Sequence, residues 1–455
     1  ELFGMTNDMT RGNPVRLILA FMIPTFLGNI FQQFYNLVDS VVAGRYIGVE
    51  ALAAIGSTTS LIFLVTGWLQ GITSGFSIMV AQCFGAGDYK QMRRYVAMSV
   101  YLCVAFVVVM TAGLMIFNVP VLRLMNTPDE ILTPTAAYMS IIYAGLCVTA
   151  AYNAFAAVLR ALGDGRSPLY FLIISAVINA GLDVLFIVRF HMGVEGCAYA
   201  TVIAQGISAL LCLGYIVWKF DILKLQKVDF RFDFSMSRRL LSIGVPMGLQ
   251  FSITAIGTII VQSAINVFGA DYIAGYAAAG KLQNMINSIF IAFGATIATF
   301  VGQNRGAGKM DRVHQGVKNT QIMILISAAV SFLIIHFCAK ELMLIFVDGS
   351  QKLVIDAADR YFMAVSWAYP FLGSIFLYRN ALQGMGYGLV PMLGGVFELL
   401  ARGAVVMLVL RLGGGYVSTC LSDPAAWVSA LIPLIPYYFY KMRKYSSLQE
   451  KKTVL

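Results

Sequence analysis

Residues 82–87 read QCFGAG and residues 303–308 read QNRGAG, 221 positions apart. GDGRSP at 163–168 returns as GYGLVP at 386–391, 223 positions on. Between and before these pairs, Gly48 with Glu50 matches Gly269 with Asp271, Tyr138 matches Tyr361, and Pro24 matches Pro246. One near-constant offset through a chain of 455 residues marks a duplicated unit about half its length.

Composition says what that unit is made of. Hydrophobic residues form 59% of the chain and charged residues only 12%, about half the charged share of an ordinary soluble domain. Apolar runs bounded by Gly, Pro and charge fall at 17–45, 52–82, 95–119, 131–159, 169–189 and 195–218. A second set falls at 240–268, 273–302, 317–338, 353–382, 390–410 and 416–440. Each is long enough to cross a bilayer as a helix. The expected fold is therefore all-α and polytopic: twelve transmembrane helices in two six-helix lobes, 1–218 and 240–440, with a cytoplasmic linker at 219–239 and a tail at 441–455. Six spans per repeat return the chain to the same face, so a pseudo-twofold axis along the membrane normal should relate the lobes. The amino end shows no cleavable signal pattern, and its first apolar run far exceeds a signal core, so the first span is expected to stay.

Orientation follows from the basic residues. The amino end, alternate loops and the tail hold 22 Lys and Arg, against Arg45, Arg123, Arg189, Lys340, Lys352 and Arg411 on the other side. That excess puts both termini in the cytoplasm. It also accounts for most of the net charge of +10, which makes nucleic acid an unneeded partner. The seven cysteines lack metal or redox spacing and read as reduced small hydrophobes. His191, His314 and His336 are scattered, and no nucleotide-binding or metalloprotease motif occurs. An enzyme and a resident cofactor or metal are not expected.

Ionisable groups are costly at bilayer depth, so each is a candidate for function. Asp39 follows Asn36 by nearly one turn, and Asp183 follows Asn179 by four residues, so each pair shares a helix face. Thr201 adds a hydroxyl at similar depth if spans five and six form a hairpin near Gly193. Such oxygens suit a hard monovalent cation, or a carboxylate pair that takes up a proton. The bland alternative is helix-to-helix glue with one acid in water. The second half lacks these acids: Asp39 maps to Ile260 or Val261 and Asp183 to Val406. Its own Glu398 and Arg402, four apart in the favourable order, read as a structural ion pair. Phe31, Phe34, Tyr35, Tyr276 and Met285 are candidates to line a cavity for apolar cations. Pro24 and Pro246, at matched places in spans one and seven, are candidate hinges.

The stretches IPTFLGNIFQQFYNLVDSVVAGRYIG at 23–48, QCFGAG, QNRGAG and ALGDGRSP at 161–168 resemble the multidrug and toxic compound extrusion (MATE) family, over nearly the whole chain. That resemblance implies twelve spans in two lobes around a cavity, rocking to give alternating access. It implies efflux of amphipathic, cationic small molecules driven by inward sodium ions or protons, in a prokaryotic cell (inner) membrane among lipid, by a monomer. In family members of the DinF-like type the ion or proton site lies in the amino-terminal lobe, a pattern matched here by Asp39, Asn179, Asp183 and Thr201. Members of the NorM type rely on an acid in the seventh span, where this chain has Gln250 and Thr254. A flippase or exporter of a lipid-linked or specific metabolite is the rival within the superfamily; a passive channel or membrane-embedded enzyme is the rival outside it.

Overall fold

A chain immersed in hydrocarbon must satisfy its backbone groups internally, and long apolar helices are the way this chain does so. The computed structural model describes residues 8–46, 49–125 and 127–453, without the side chains of 34–45, 49–53, 57, 446 and 448–453. The first half contains α1 (Pro14–Tyr46), α2 (Val49–Ala86), α3 (Tyr89–Ile116), α4 (Asn118–Leu124), α5 (Asp129–Ala144), α6 (Leu146–Ala161), α7 (Arg166–Val184) and α8 (Gly193–Lys219). The second contains α9 (Phe234–Ile265), α10 (Ala270–Gly306), α11 (Met310–Met343), α12 (Lys352–Val365), α13 (Tyr369–Gly384), α14 (Leu389–Leu412), α15 (Tyr416–Cys420) and α16 (Ser422–Thr453). Every regular element among the described residues is helical. Among the described residues eleven segments are long and apolar enough to span, and α5 with α6, bent by 45° at the break between them, makes a twelfth when the pair is counted as one broken span.

That bend refines the continuous fourth span expected at 131–159. Its repeat partner is interrupted as well, by a 3-10 turn at Ser366–Ala368 between α12 and α13. Gly145, at the bend, is packed closely against α8: a Cβ there would lie 2.4 Å from Val202 Cγ2.

The repeat signatures are helix terminators. Gly87 and Gly308 have φ of 72° each, and Gly163 and Gly386 have 83° and 81°, values that cost a residue with a Cβ. After each pair the following amide reaches back five residues: Asp88 N to Cys83 O at 3.0 Å, and Lys309 N to Asn304 O at 2.8 Å. This closes the last turn as a Schellman motif. Asp88 then caps the next helix by accepting from Gln91 N at 2.9 Å.

The chain forms two compact units: Glu1–Asp8 with Leu27–Gly248, and Met9–Phe26 with Leu249–Leu455. The divisions within α1 and α9 fall two residues after Pro24 and Pro246, so each proline helix is shared between units. Both prolines sit inside uninterrupted helices.

The first unit is centred on Leu61, Val65, Leu69, Met139, Tyr143 and Leu146. It also grips the start of α9 through a backbone contact. Cβ atoms at Gly71 and Gly75 of α2 would lie 2.6 Å from Met247 O and 2.5 Å from Gly244 Cα. Small residues four apart on both helices permit this approach, the packing that replaces hydrophobic driving force in lipid. The linker is fixed to α3 by Arg93 with Asp229 at 3.3 Å and Arg94 with Asp233 at 2.9 Å.

The second unit packs Phe290, Phe293, Phe300, Tyr369 and Tyr438 in its interior. There the segment ahead of α1 is held at the QNRGAG turn. Met9 N donates to Gln303 Oε1 at 2.9 Å, and Lys309 Nζ donates to Thr10 O at 2.8 Å. Arg305 lies against the Tyr387 and Tyr445 rings, 5.3 and 5.7 Å from their centroids, which ties α16 to both repeat turns.

Candidate functional site

Helix α7 is an apolar rod with one polar face. Ser175, Asn179 and Asp183 recur every four residues and are 4%, 0% and 0% exposed. Four-residue spacing stacks side chains on one side of a helix, and that side meets α8. Asn179 Nδ2 donates to Thr201 Oγ1 at 3.4 Å. Ser175 Oγ donates to Ala204 O and Ser208 Oγ to Phe171 O, each at 3.0 Å. Thr149 of α6 donates through its hydroxyl to Gln205 Oε1. Immediately after Asp183 and Val184 the helix widens to a π turn over Leu185–Arg189, a local change that often accompanies functional side chains.

Beside this face lies a cavity of about 30 Å³ lined by Gln32, Tyr152, Leu172, Ser175, Gln205 and Ser208. It can hold one or two waters bonded to amides and hydroxyls. The arrangement offers oxygen ligands and a buried carboxyl in one unit.

Among the predicted coupling residues, Asn179, Asp183 and Thr201 are brought onto one α7–α8 seam. Asn36 and Asp39 lie on α1, and their side chains fall outside the described residues, as do those of Phe34 and Tyr35. Phe31 and Met285 are 39% and 37% exposed. Tyr276 is partly buried and meets Tyr361 edge-on, with centroids 5.3 Å apart at 90°. It therefore packs inside its own unit.

Glu398 and Arg402 are not the isolated pair that their spacing suggests. Their mutual distance is 3.9 Å, whereas Glu398 accepts directly from Arg379 Nη2, and Arg402 Nε donates to Asp423 Oδ1 at 3.2 Å. Tyr361 Oη adds a contact to Asp423 Oδ2 at 3.4 Å. The four charged residues are 5–8% exposed. Sequence reasoning missed Asp423 although it lies within the expected span 416–440; in the structure it stands at the start of α16. Its one signal was its repeat position, 222 residues after Thr201. Among the described residues no cluster of His, Cys, Asp and Glu could hold a metal ion.

Comparison with known proteins agrees with the duplicated architecture. The chain is 28% identical over 408 residues to the probable multidrug resistance protein YpnP of Bacillus subtilis (strain 168), covering 89% of this chain and 88% of that one. It is 27% identical over 449 residues to the probable multidrug resistance protein YoeA of the same organism, covering 97% and 96%. A crystal structure of MATE in complex with MaL6 shares the fold, with TM-score 0.90 at 18% identity over 96% of this chain and 98% of that one. The MatE family profile matches twice, at residues 24–185 and 246–408, once in each repeat and beginning at Pro24 and Pro246. A multi-pass membrane protein of two repeated six-span halves, matched along most of its length, this chain belongs to the MatE (multidrug and toxic compound extrusion) family of transporters.

Proposed function

We propose that the protein exports amphipathic, cationic small molecules by alternating access, driven by inward flow of sodium ions or protons through a site at Asp39, Asn179, Asp183 and Thr201. The observation that carries this reading is the fully buried α7 face. Asp183 and Asn179 have no solvent exposure, and Asn179 reaches Thr201 across the seam. Such a carboxyl in hydrocarbon needs a cation, a proton or a fixed partner.

Asn36 lies nearly a turn before Asp39 on α1, and in this reading both turn toward Asp183. Two carboxylates sharing a site cannot both stay ionised without a cation, so the pair takes up sodium or retains a proton, with titration belonging to the pair. Asn179 and Thr201 supply neutral oxygens. Because a ligand moves a conformational equilibrium only by its differential affinity, an ion preferring one state drives release of a substrate preferring the other. Pro24 and Pro246 lie where α1 and α9 pass from one compact unit to the other, the natural place for bending. The reading includes a monomer in the cell membrane with both termini cytoplasmic, as the basic residues argue.

The test is reconstitution in liposomes with imposed sodium or proton gradients, following efflux of a fluorescent organic cation. Gradient-driven efflux that Asp39→Asn with Asp183→Asn removes supports the reading. Full gradient-driven efflux by that double variant refutes the site, and downhill flux indifferent to both gradients would make the protein a passive channel.

A further inference from the structure

We infer that the second unit carries the repeat counterpart of the cation site with its cation built in, Arg402 and Arg379 occupying the place of an exchangeable ion. The inference rests on the proposed coupling site only for what the first-unit counterpart binds; the second-unit geometry stands by itself.

The repeat offset carries the correspondence. From α7 to α14 the offset is 223, set by GDGRSP and GYGLVP, and it maps Ser175 onto Glu398, Asn179 onto Arg402 and Asp183 onto Val406. From α8 to α16 an offset of 222, under which Lys219 meets Lys441, maps Thr201 onto Asp423. The contact is conserved in place and changed in chemistry. Where Asn179 donates to Thr201 at 3.4 Å across α7 and α8, Arg402 donates to Asp423 at 3.2 Å across α14 and α16. One turn before it, Ser175 becomes Glu398, and α13 supplies Arg379 as its partner.

The charge arithmetic separates the two sites. The proposed coupling site draws on the two acids Asp39 and Asp183 of the first half. Both are aliphatic in the second half. Glu398 and Asp423 restore two negative charges there, but two buried guanidinium groups accompany them, so this site is neutral with nothing bound. Space has been made for the guanidinium as well. A Cβ at Gly257 of α9 would stand 3.0 Å from Arg402 Nη1 and 3.4 Å from its Cδ, and the repeat offset places Gly257 opposite Tyr35 or Asn36 of α1.

A buried carboxyl needs a cation, a proton or a fixed positive partner, and a tethered partner cannot dissociate into either compartment. The second unit is thereby indifferent to the ion gradient, and one unit alone responds to it. Duplicated architecture with one exchangeable and one resident cation gives a single coupling site from a symmetric scaffold.

The test uses full-length protein in lipid nanodiscs, with melting temperature read against millimolar guanidinium chloride, well below denaturing concentrations. Wild type should not respond. Arg402→Ala should melt lower, and guanidinium should raise its melting temperature saturably, whereas tetramethylammonium, which has no N–H to donate to Asp423, should not. An Arg402→Ala protein that melts like wild type, or is lowered and indifferent to guanidinium, overturns the inference. Should Arg402→Ala fail to fold, radioactive sodium binding and pH-dependent melting of the Asp39→Asn, Asp183→Asn variant decide. No residual exchangeable cation is expected, and a residual one removed by Glu398→Gln would overturn it. Transport by that double variant would instead refute the first-unit coupling site and leave the guanidinium result standing.

Discussion

Gly75→Ala adds one methyl group where there is no room for it. Its Cβ would lie 2.5 Å from Gly244 Cα, 2.8 Å from Gly244 N and 3.1 Å from the Ile243 carbonyl carbon, against about 3.5–4.0 Å for carbons in comfortable contact. All three atoms are backbone, so no side chain can rotate away, and α2 and α9 must separate by roughly the shortfall of 1 Å. Overpacking of this kind costs about 1–3 kcal/mol, and an immovable neighbour argues for the upper part of that range. Replacing glycine within a helix returns about 0.8–1 kcal/mol, leaving a net loss of about 1–2 kcal/mol. Gly113→Ala in α3 is the control: nothing lies within 4 Å of its Cβ, so only the propensity gain of about 0.8–1 kcal/mol remains. Unfolding by SDS in mixed micelles, monitored by tryptophan fluorescence, should move the two variants in opposite directions. Equal shifts, or a Gly75→Ala protein as stable as wild type, would refute the close backbone packing. Pro246 lies between Gly244 and Gly248, so the destabilised variant should also alter transport rate.

Further outcomes follow from the two polar clusters and the linker. Glu398→Gln leaves the Arg379 guanidinium facing a neutral amide and should cost about 3–5 kcal/mol in the same unfolding assay; exchanging Glu398 and Arg402 should be no rescue, because it sets two arginines together at Arg379 and two acids together at Asp423. Stability unchanged by Glu398→Gln, with transport lost, would move Glu398 into the mechanism. Asn179→Ala should weaken gradient-driven efflux more if the coupling ion is sodium, which loses an oxygen ligand, than if it is a proton; the liposome assay under each gradient separates these. The Met236 amide, followed by Arg94, holds the Asp233 carboxyl below its ordinary value. A lowered folded value means that this contact stabilises above the ordinary carboxylate range and is lost as pH falls from about 4 through the lowered value. Asp233→Asn should abolish that acid-dependent loosening of the linker, read by hydrogen exchange at residues 221–233.

Much of this architecture is written along the chain. Apolar length fixed the spans, because hydrocarbon allows the backbone few other ways to satisfy itself. The repeated glycines marked the turns, because a helix that ends in a left-handed residue strongly prefers one without a Cβ. The four-residue recurrence of Asn179 and Asp183 placed them on one face, since that follows from helix geometry alone. Partnership between helices was another matter. Lipid-embedded helices are apolar nearly all round, so the pattern gives little sign of how each is rotated against its neighbours. Only packing decided that Arg402 meets Asp423 more closely than Glu398, that Arg379 reaches Glu398, and that Gly71 and Gly75 lie against the α9 backbone around Pro246. Each of these joins residues remote in sequence, and its energy depends on ångström-scale approach that periodicity does not encode.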